Sequence, residues 1–370
     1  EVEQLDKGGY THFMLKEIFE QPSVIAKNLD IRIKEGTISL GDDLKFSERE
    51  LKKINRIIIQ ACGTSWHAGL IGKYLLERLA RIHTEVEVSS EFRYRDSVFD
   101  LNTLVMAISQ SGETLDTLAG LRTAKTKFLD VLSIVNVPHS SIARESDGVI
   151  YINTGPEIGV ASTKAYTAEI LNIFFFALHM GRLRGFLTKD VVDYYLKELE
   201  QIPDKMSKIL DQAELIKRYS DIFYEARNFI FLGRGINYPS ALEGALKLKE
   251  VSYIHATGYA GGEMKHGPIA LIDENMPVVG IVVRGSVYDK MMSNIEEVVA
   301  RKGISILIGS EGDNEIERLS PYPFYVPETE EIVSPLLTAL PLQLLAYFIA
   351  LKKNCDVDRP RNLAKSVTVE

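Results

Sequence analysis

Cysteine is nearly absent: the 370 residues hold only Cys62 and Cys355, far apart in the chain. Two thiols at that separation offer neither a disulfide framework nor zinc spacing, and they point to a reducing compartment, the cytoplasm. No cluster of His, Cys, Asp and Glu at ligand spacing is visible, so no metal is expected. A basic tract is also missing, and the net charge of −8 argues against a nucleic-acid partner. The first residues, Glu1 to Lys7, are charged and do not read as a signal peptide. Only one long stretch, Ile332 to Leu351, is free of charge. Ser334, Pro335, Thr338, Pro341 and Gln343 interrupt it, so it reads as a core helix starting near Pro335 and no membrane partner is expected.

What remains is an ordinary globular composition, 45% hydrophobic and 25% charged, in a chain long enough for two domains. The same unit occurs twice. Ile57–Ala61 runs into Cys62-Gly63-Thr64-Ser65 and a helical pattern through Leu79, with later strand candidates at 85–88, 104–108, 131–135 and 149–152. Phe229–Leu232 runs into Gly233-Arg234-Gly235 and a helix through Val251, with later strands at 278–283, 304–308 and 324–326. A long apolar helix closes each unit. Strands alternating with helices predict a doubly wound parallel sheet in each, with ligands beyond the carboxyl ends of the strands. Gly233-Arg234-Gly235 lacks the third glycine of a dinucleotide fingerprint and reads as a tight turn.

The most informative stretch is 104–114. A buried-type apolar run, Leu104–Ile108, ends in Ser109-Gln110-Ser111-Gly112-Glu113-Thr114, and a helical pattern follows. Strand, hydroxyl-rich turn and helix N-terminus together offer backbone N–H groups and hydroxyls to an anion. No Lys or Arg lies in the turn, which favours one phosphate monoester over a polyphosphate. A serine-rich helix cap without a ligand fits the same residues. The second unit has Arg284-Gly285-Ser286 at the matching place, so one phosphate site per chain is expected.

Acid–base residues lie in the second unit. Glu243, Lys247 and Glu250 are spaced i, i+4, i+7 and share one helical face. Two readings fit them: a solvated ion-paired face, or a carboxylate tuned for proton transfer beside an apolar wall. His266 is framed by glycines and a proline, as a site residue or as a solvated loop histidine. Lys365, near the end of the chain, is a mobile surface group unless the tail folds over a site, where its amine could meet a carbonyl.

Taken in order, Cys62–Ser65, Ser109–Thr114, Pro156–Lys164, Leu242–Glu250, Glu263–Pro268 and Arg361–Glu370 resemble the isomerase half of the glutamine–fructose-6-phosphate aminotransferase (glucosamine-6-phosphate synthase) family. The resemblance begins at Asp6-Lys7-Gly8 and Lys16–Pro22 and spans essentially the whole chain. It implies an α/β fold of two tandem SIS domains, each a doubly wound parallel sheet flanked by helices, plus an ordered tail. The expected divisions are a helical lead-in or linker (1–45), a first SIS domain with the phosphate site (46–186), a second with the acid–base residues (187–354) and a C-terminal active-site tail (355–370).

By the same resemblance, Ser65, Ser109, Gln110, Ser111 and Thr114 hold the phosphate of fructose 6-phosphate. Cys62, Gly63, Thr64, Glu157, Val160, Ser162 and Ala364 complete the substrate-contacting set. Glu250 moves a proton between C1 and C2, and His266 assists ring opening from the neighbouring subunit of a homodimer. Lys365 contacts the open-chain carbonyl, and Glu243 and Lys247 support the site. No cofactor is implied. The family joins this half to an N-terminal glutaminase domain whose terminal Cys releases ammonia, and the product is glucosamine 6-phosphate. This chain starts at Glu1, at what resembles the linker, so it reads as the isomerase domain alone, interconverting fructose 6-phosphate and glucose 6-phosphate without using glutamine. Fructosamine-phosphate deglycases share the fold, but the terminal motif argues against them. A non-enzymatic phosphosugar-binding regulator would not need Glu250, His266 and Lys365 together.

Overall fold

Alternating apolar strands and helices build two parallel sheets, described over residues 6–368 of a computed structural model. Residues 1–5 of the expected lead-in, and Val369 and Glu370 of the expected tail, lie outside the described residues. The chain opens with α1 (Phe13–Phe19), α2 (Gln21–Arg32), a hairpin of β1 (Ile33–Lys34) and β2 (Thr37–Ile38), and the short α3 (Glu48–Lys53).

The first sheet follows as β3 (Arg56–Ala61), α4 (Gly63–Leu75), β4 (His83–Val88), α5 (Ser89–Phe92), β5 (Thr103–Ser109), α6 (Leu115–Thr126), β6 (Asp130–Val135), α7 (Ser141–Glu145), β7 (Gly148–Tyr151) and α8 (Lys164–Leu183). Then come α9 (Lys189–Glu200), α10 (Ile202–Leu210) and α11 (Ala213–Phe223). The second sheet comprises β8 (Asn228–Gly233), α12 (Tyr238–Ser252), β9 (His255–Ala260), β10 (Pro277–Val282), α13 (Tyr288–Val299), β11 (Ile304–Ser310), β12 (Tyr322–Val326) and α14 (Pro335–Lys352).

The chain forms two compact units. Among the described residues, the first holds Ser23–Glu157, Lys164–Glu200 and 364–368; the second holds 6–22, Ile158–Thr163 and Gln201–Leu363. In the first unit the strand order is β4-β3-β5-β6-β7, all parallel. The chain leaves β3 toward β4 on one side, while β5 lies on the other. The turns after β3 and β5 therefore diverge and open a crevice at the carboxyl end of the sheet. All seven residues of central β5 are buried, which is why its sequence reads as an unbroken apolar run. Ile58, Val105, Leu121, Val131 and Ile142 lie in the core on one side of the sheet.

The second unit repeats the plan with order β12-β11-β10-β8-β9, all parallel. Its edge strand β9, His255–Ala260, is absent from the sequence-based strand set. The reason is local: His-Ala-Thr-Gly-Tyr-Ala has only Ala256 fully buried, so no apolar run marks it. Helix α14 is long and apolar enough to cross a membrane, yet 83% of that window is buried. It packs against α10, α11 and α12 as the core helix expected from its prolines and polar residues.

Candidate phosphate turn and acid–base helix

In the first unit, β5 delivers Ser109 to the crevice and α6 starts at Leu115. Between them the chain reverses through Gly112, which has φ +66°; a Cβ there would lie 2.0 Å from Ser140 Oγ. That position is closed to any side chain. The hydroxyls organise the turn: Ser109 Oγ lies 2.9 Å from Thr114 Oγ1 and accepts from Gly112 N at 3.1 Å, while Ser111 Oγ accepts from Glu113 N at 3.2 Å. Gln110 contributes its carbonyl, which accepts from Asn136 N. The turn thus brings Ser109, Gln110, Ser111 and Thr114 together at one helix N-terminus, whose dipole favours an anion.

Across the crevice, β3 ends at Ala61, Cys62 is the N-cap of α4, and Gly63 takes φ +54°. Thr64 and Ser65 follow in the first turn and are buried. Ser65 Oγ donates to Glu169 Oε1 at 2.8 Å, so its proton points to a buried carboxylate on α8. Sequence reasoning missed Glu169, although a lone acid inside the apolar run Ala165–Leu178 is a legible signal. Cys62 Sγ lies 3.8 Å from Thr117 Oγ1, and Thr117 in turn meets Ser89, whose hydroxyl donates to Gln60. This chain of polar groups ties β3 and Cys62 to Ser89, which follows β4, and to Thr117 in the first turn of α6.

The tail belongs to this unit from Ala364 onward. Ala364 is exposed, whereas the Lys365 Nζ lies 2.6 Å from Glu157 Oε2. The Glu157 side chain is fully buried, and its Oε1 accepts from Ala165 N in the first turn of α8. Two residues on, Val367 O accepts from Leu115 N at 3.0 Å, the first N–H of α6. The described part of the tail is therefore held against the helix that follows the hydroxyl turn.

In the second unit, Glu243, Lys247 and Glu250 share one face of α12. Lys247 Nζ is 3.4 Å from Glu243 Oε1 and 2.6 Å from Glu250 Oε2. Lys247 is 1% exposed and Glu243 2%, which rules out a solvated face; Glu250, at 22%, is the member that reaches solvent. Burial alone would weaken the lysine's hold on its proton, but the two carboxylates outweigh it and push its pKa above the ordinary value of 10.5. Glu250 also lines a pocket of about 320 Å³ with Leu246, Lys249, Tyr253 and Arg361. The Arg361 guanidinium stacks 4.1 Å from the centre of the Tyr253 ring, whose hydroxyl accepts from Arg361 N. His266 is exposed and ends the helical turn Gly261–His266, whose Gly261 and Met264 are buried.

Val160 and Ser162 sit in the loop 158–163 of this unit. Val160 N donates to Asp358 O, and the N–H groups of Ile158 and Gly159 donate to Glu17. Glu17 and Asp358 carried no site signal in the sequence. Among the described residues, no group of three or more His, Cys, Asp or Glu is arranged to hold a metal ion.

The SIS domain model matches residues 50–179 and 222–353. The chain is 54% identical to glutamine–fructose-6-phosphate aminotransferase [isomerizing] of Chlorobaculum tepidum, over 100% of this chain and 60% of that protein. Identity to the enzyme of the same name from Thermus thermophilus is 52%, over 100% of this chain and 61% of that protein. The chain thus spans about three-fifths of the length of these curated relatives. Among solved structures, the C-terminal domain of glucosamine-fructose-6-phosphate aminotransferase from Francisella tularensis aligns with a TM-score of 0.92 at 42% identity, covering 96% of this chain and 99% of that one. Glucosamine-6-phosphate deaminase from Thermotoga maritima aligns at 0.75 with 21% identity over 96% of this chain and 99% of that one, a likeness of fold alone.

Proposed function

The chain belongs to the SIS domain family, and from that premise we propose that it carries the sugar-isomerising chemistry of a glutamine–fructose-6-phosphate aminotransferase. Fructose 6-phosphate is the substrate. The observation that carries the reading is the Ser109–Thr114 turn at the β3/β5 crevice: hydroxyls and N–H groups at a helix N-terminus, with no cation, suit one phosphate monoester.

Each remaining step has a group of the right chemistry. His266 assists opening of the sugar ring, in this reading from the second copy of a homodimer. Lys365 attacks the C2 carbonyl, its Nζ held 2.6 Å from Glu157 Oε2. Glu250 carries a proton from C1 to C2, with Lys247 and Glu243 setting its charge environment. The Lys365 imine at C2 forms with loss of one water; ammonia from a glutaminase domain then displaces the lysine from C2, and the proton shift yields glucosamine 6-phosphate. Without ammonia, water releases the lysine and the same shift interconverts fructose 6-phosphate and glucose 6-phosphate. The reaction needs no metal or cofactor, and a cytoplasmic setting supplies the substrate.

The test is conversion of fructose 6-phosphate to glucose 6-phosphate by the chain alone, followed by coupled oxidation of the product. Turnover supports the reading. Tight binding without turnover or solvent exchange at C1 and C2 would make the chain a phosphosugar-binding regulator instead.

A further inference from the structure

Glu17 is an unexpected charge: it lies on α1 and is only 2% exposed. A buried carboxylate is costly unless donors surround it. Its donors are the backbone N–H groups of Ile158 and Gly159, more than a hundred residues away. The chain comes so close at Gly159 that a Cβ there would stand 2.8 Å from Glu17 Oε2. The next N–H, that of Val160, is taken by the carbonyl of Asp358 at 3.1 Å. Asp358 completes the clamp, because its two carboxylate oxygens accept from Phe13 N and Met14 N at the head of α1. Three successive N–H groups, 158 to 160, are thus held by α1 and by the carboxylate segment that caps it. All of these groups lie in the second unit.

We propose that Glu17 is a positioning residue for the sugar: it fixes the loop 158–163 so that Val160 and Ser162 meet the carbon chain of the substrate. This rests on the proposed function for the identity of the ligand. It adds that the lead-in helix α1 sets how well the sugar portion is held. Loss of the clamp should therefore weaken binding of the phosphosugar while sparing binding of a bare anion.

The experiment compares the chain with Glu17→Gln and Glu17→Ala, measuring affinity for fructose 6-phosphate and for inorganic phosphate by calorimetry, with thermal unfolding alongside. For Glu17→Ala the dissociation constant for fructose 6-phosphate should rise about tenfold, the size of one hydrogen bond to a charged group. Glu17→Gln, which keeps one acceptor, should fall between. Affinity for inorganic phosphate should stay within about twofold. Hydrogen exchange at the amides of residues 158–160 should quicken in both variants. Unchanged sugar affinity in both variants overturns the proposal, as does a parallel loss for both ligands. If Glu17→Ala fails to fold, Glu17→Gln decides; if neither folds, Glu17 is a stability residue and the proposal falls. A parent chain that binds inorganic phosphate but not fructose 6-phosphate would instead sink the functional reading, and the exchange data would still report on the clamp.

Discussion

The Lys365 ammonium is seated 2.6 Å from Oε2 of Glu157, a buried carboxylate whose other oxygen accepts from Ala165 N at the head of α8. A terminal lysine is ordinarily a mobile surface group. Here it is aimed by a side chain that is itself fixed to a helix.

Lys365→Ala should keep the fold and the phosphate affinity yet lose most turnover. Lys365→Arg should not rescue it, because a guanidinium stays protonated and cannot attack a carbonyl. Borohydride reduction in the presence of fructose 6-phosphate should trap an adduct on the parent chain and none on either variant, as read by mass spectrometry. Full activity in a chain truncated after Ala364 would falsify this role.

Glu250→Gln keeps the size of the side chain and removes its basicity. Isomerisation should drop by at least about 10²-fold, with ligand affinity largely kept. Exchange of the C1 and C2 hydrogens with solvent, followed by NMR, is the direct check. Exchange at the parental rate would assign the proton transfer to another group.

The strands of the first sheet were legible because a parallel sheet buried on both faces needs continuous apolar runs, and Ile57–Ile59 and Leu104–Ile108 supply them. Strand β9 was not, since an edge strand of small residues has no such demand. The shared face of Glu243, Lys247 and Glu250 followed from helical spacing, but its burial did not: that depends on tertiary packing around α12, which no local spacing encodes. The pairings of Ser65 with Glu169 and of Glu17 with the 158–159 backbone join residues more than a hundred positions apart. No local pattern encodes such contacts. The roles given to His266 and Lys365 came from family resemblance, because a histidine in a glycine-framed turn and a lysine in a tail look alike in sites and on surfaces.

Lys247→Met should be among the most destabilising changes in the second unit. It removes the ammonium 3.4 Å from the buried Glu243 carboxylate and strips Glu250 of its 2.6 Å partner. Breaking such a pair from one side costs about 3–5 kcal/mol. The pH dependence follows from the raised lysine pKa. A group whose pKa is higher folded than unfolded contributes its full stabilisation below the unfolded value, here 10.5, and loses it as pH rises through the folded value. The penalty of the substitution should therefore be undiminished by this group through neutral pH and shrink only in strong alkali. Urea unfolding of parent and variant on either side of pH 10 measures it; a penalty that fades from the lysine's own titration below pH 9 would contradict the pairing.

The hydroxyl turn makes the sharpest claim about the ligand. Ser111 Oγ now accepts from Glu113 N, which leaves its own proton to donate to an anion at the head of α6. Ser111→Ala removes one hydrogen bond to a charged group, so affinity for fructose 6-phosphate should fall by about 1.5–3 kcal/mol. Gly112→Ala acts differently. Its φ of +66° is strained for alanine, and the new methyl would lie 2.0 Å from Ser140 Oγ. The turn must open to relieve that clash, which misplaces Ser109, Ser111 and Thr114 together. Binding should then be lost beyond the Ser111→Ala effect, while the parallel sheet beneath, anchored by fully buried β5, stays folded by circular dichroism. Unphosphorylated fructose should bind far more weakly than fructose 6-phosphate to the parent chain, and neither substitution should change its residual affinity. Equal calorimetric affinity for the two sugars, or a Gly112→Ala chain that binds fructose 6-phosphate as the parent does, would remove the phosphate from this turn.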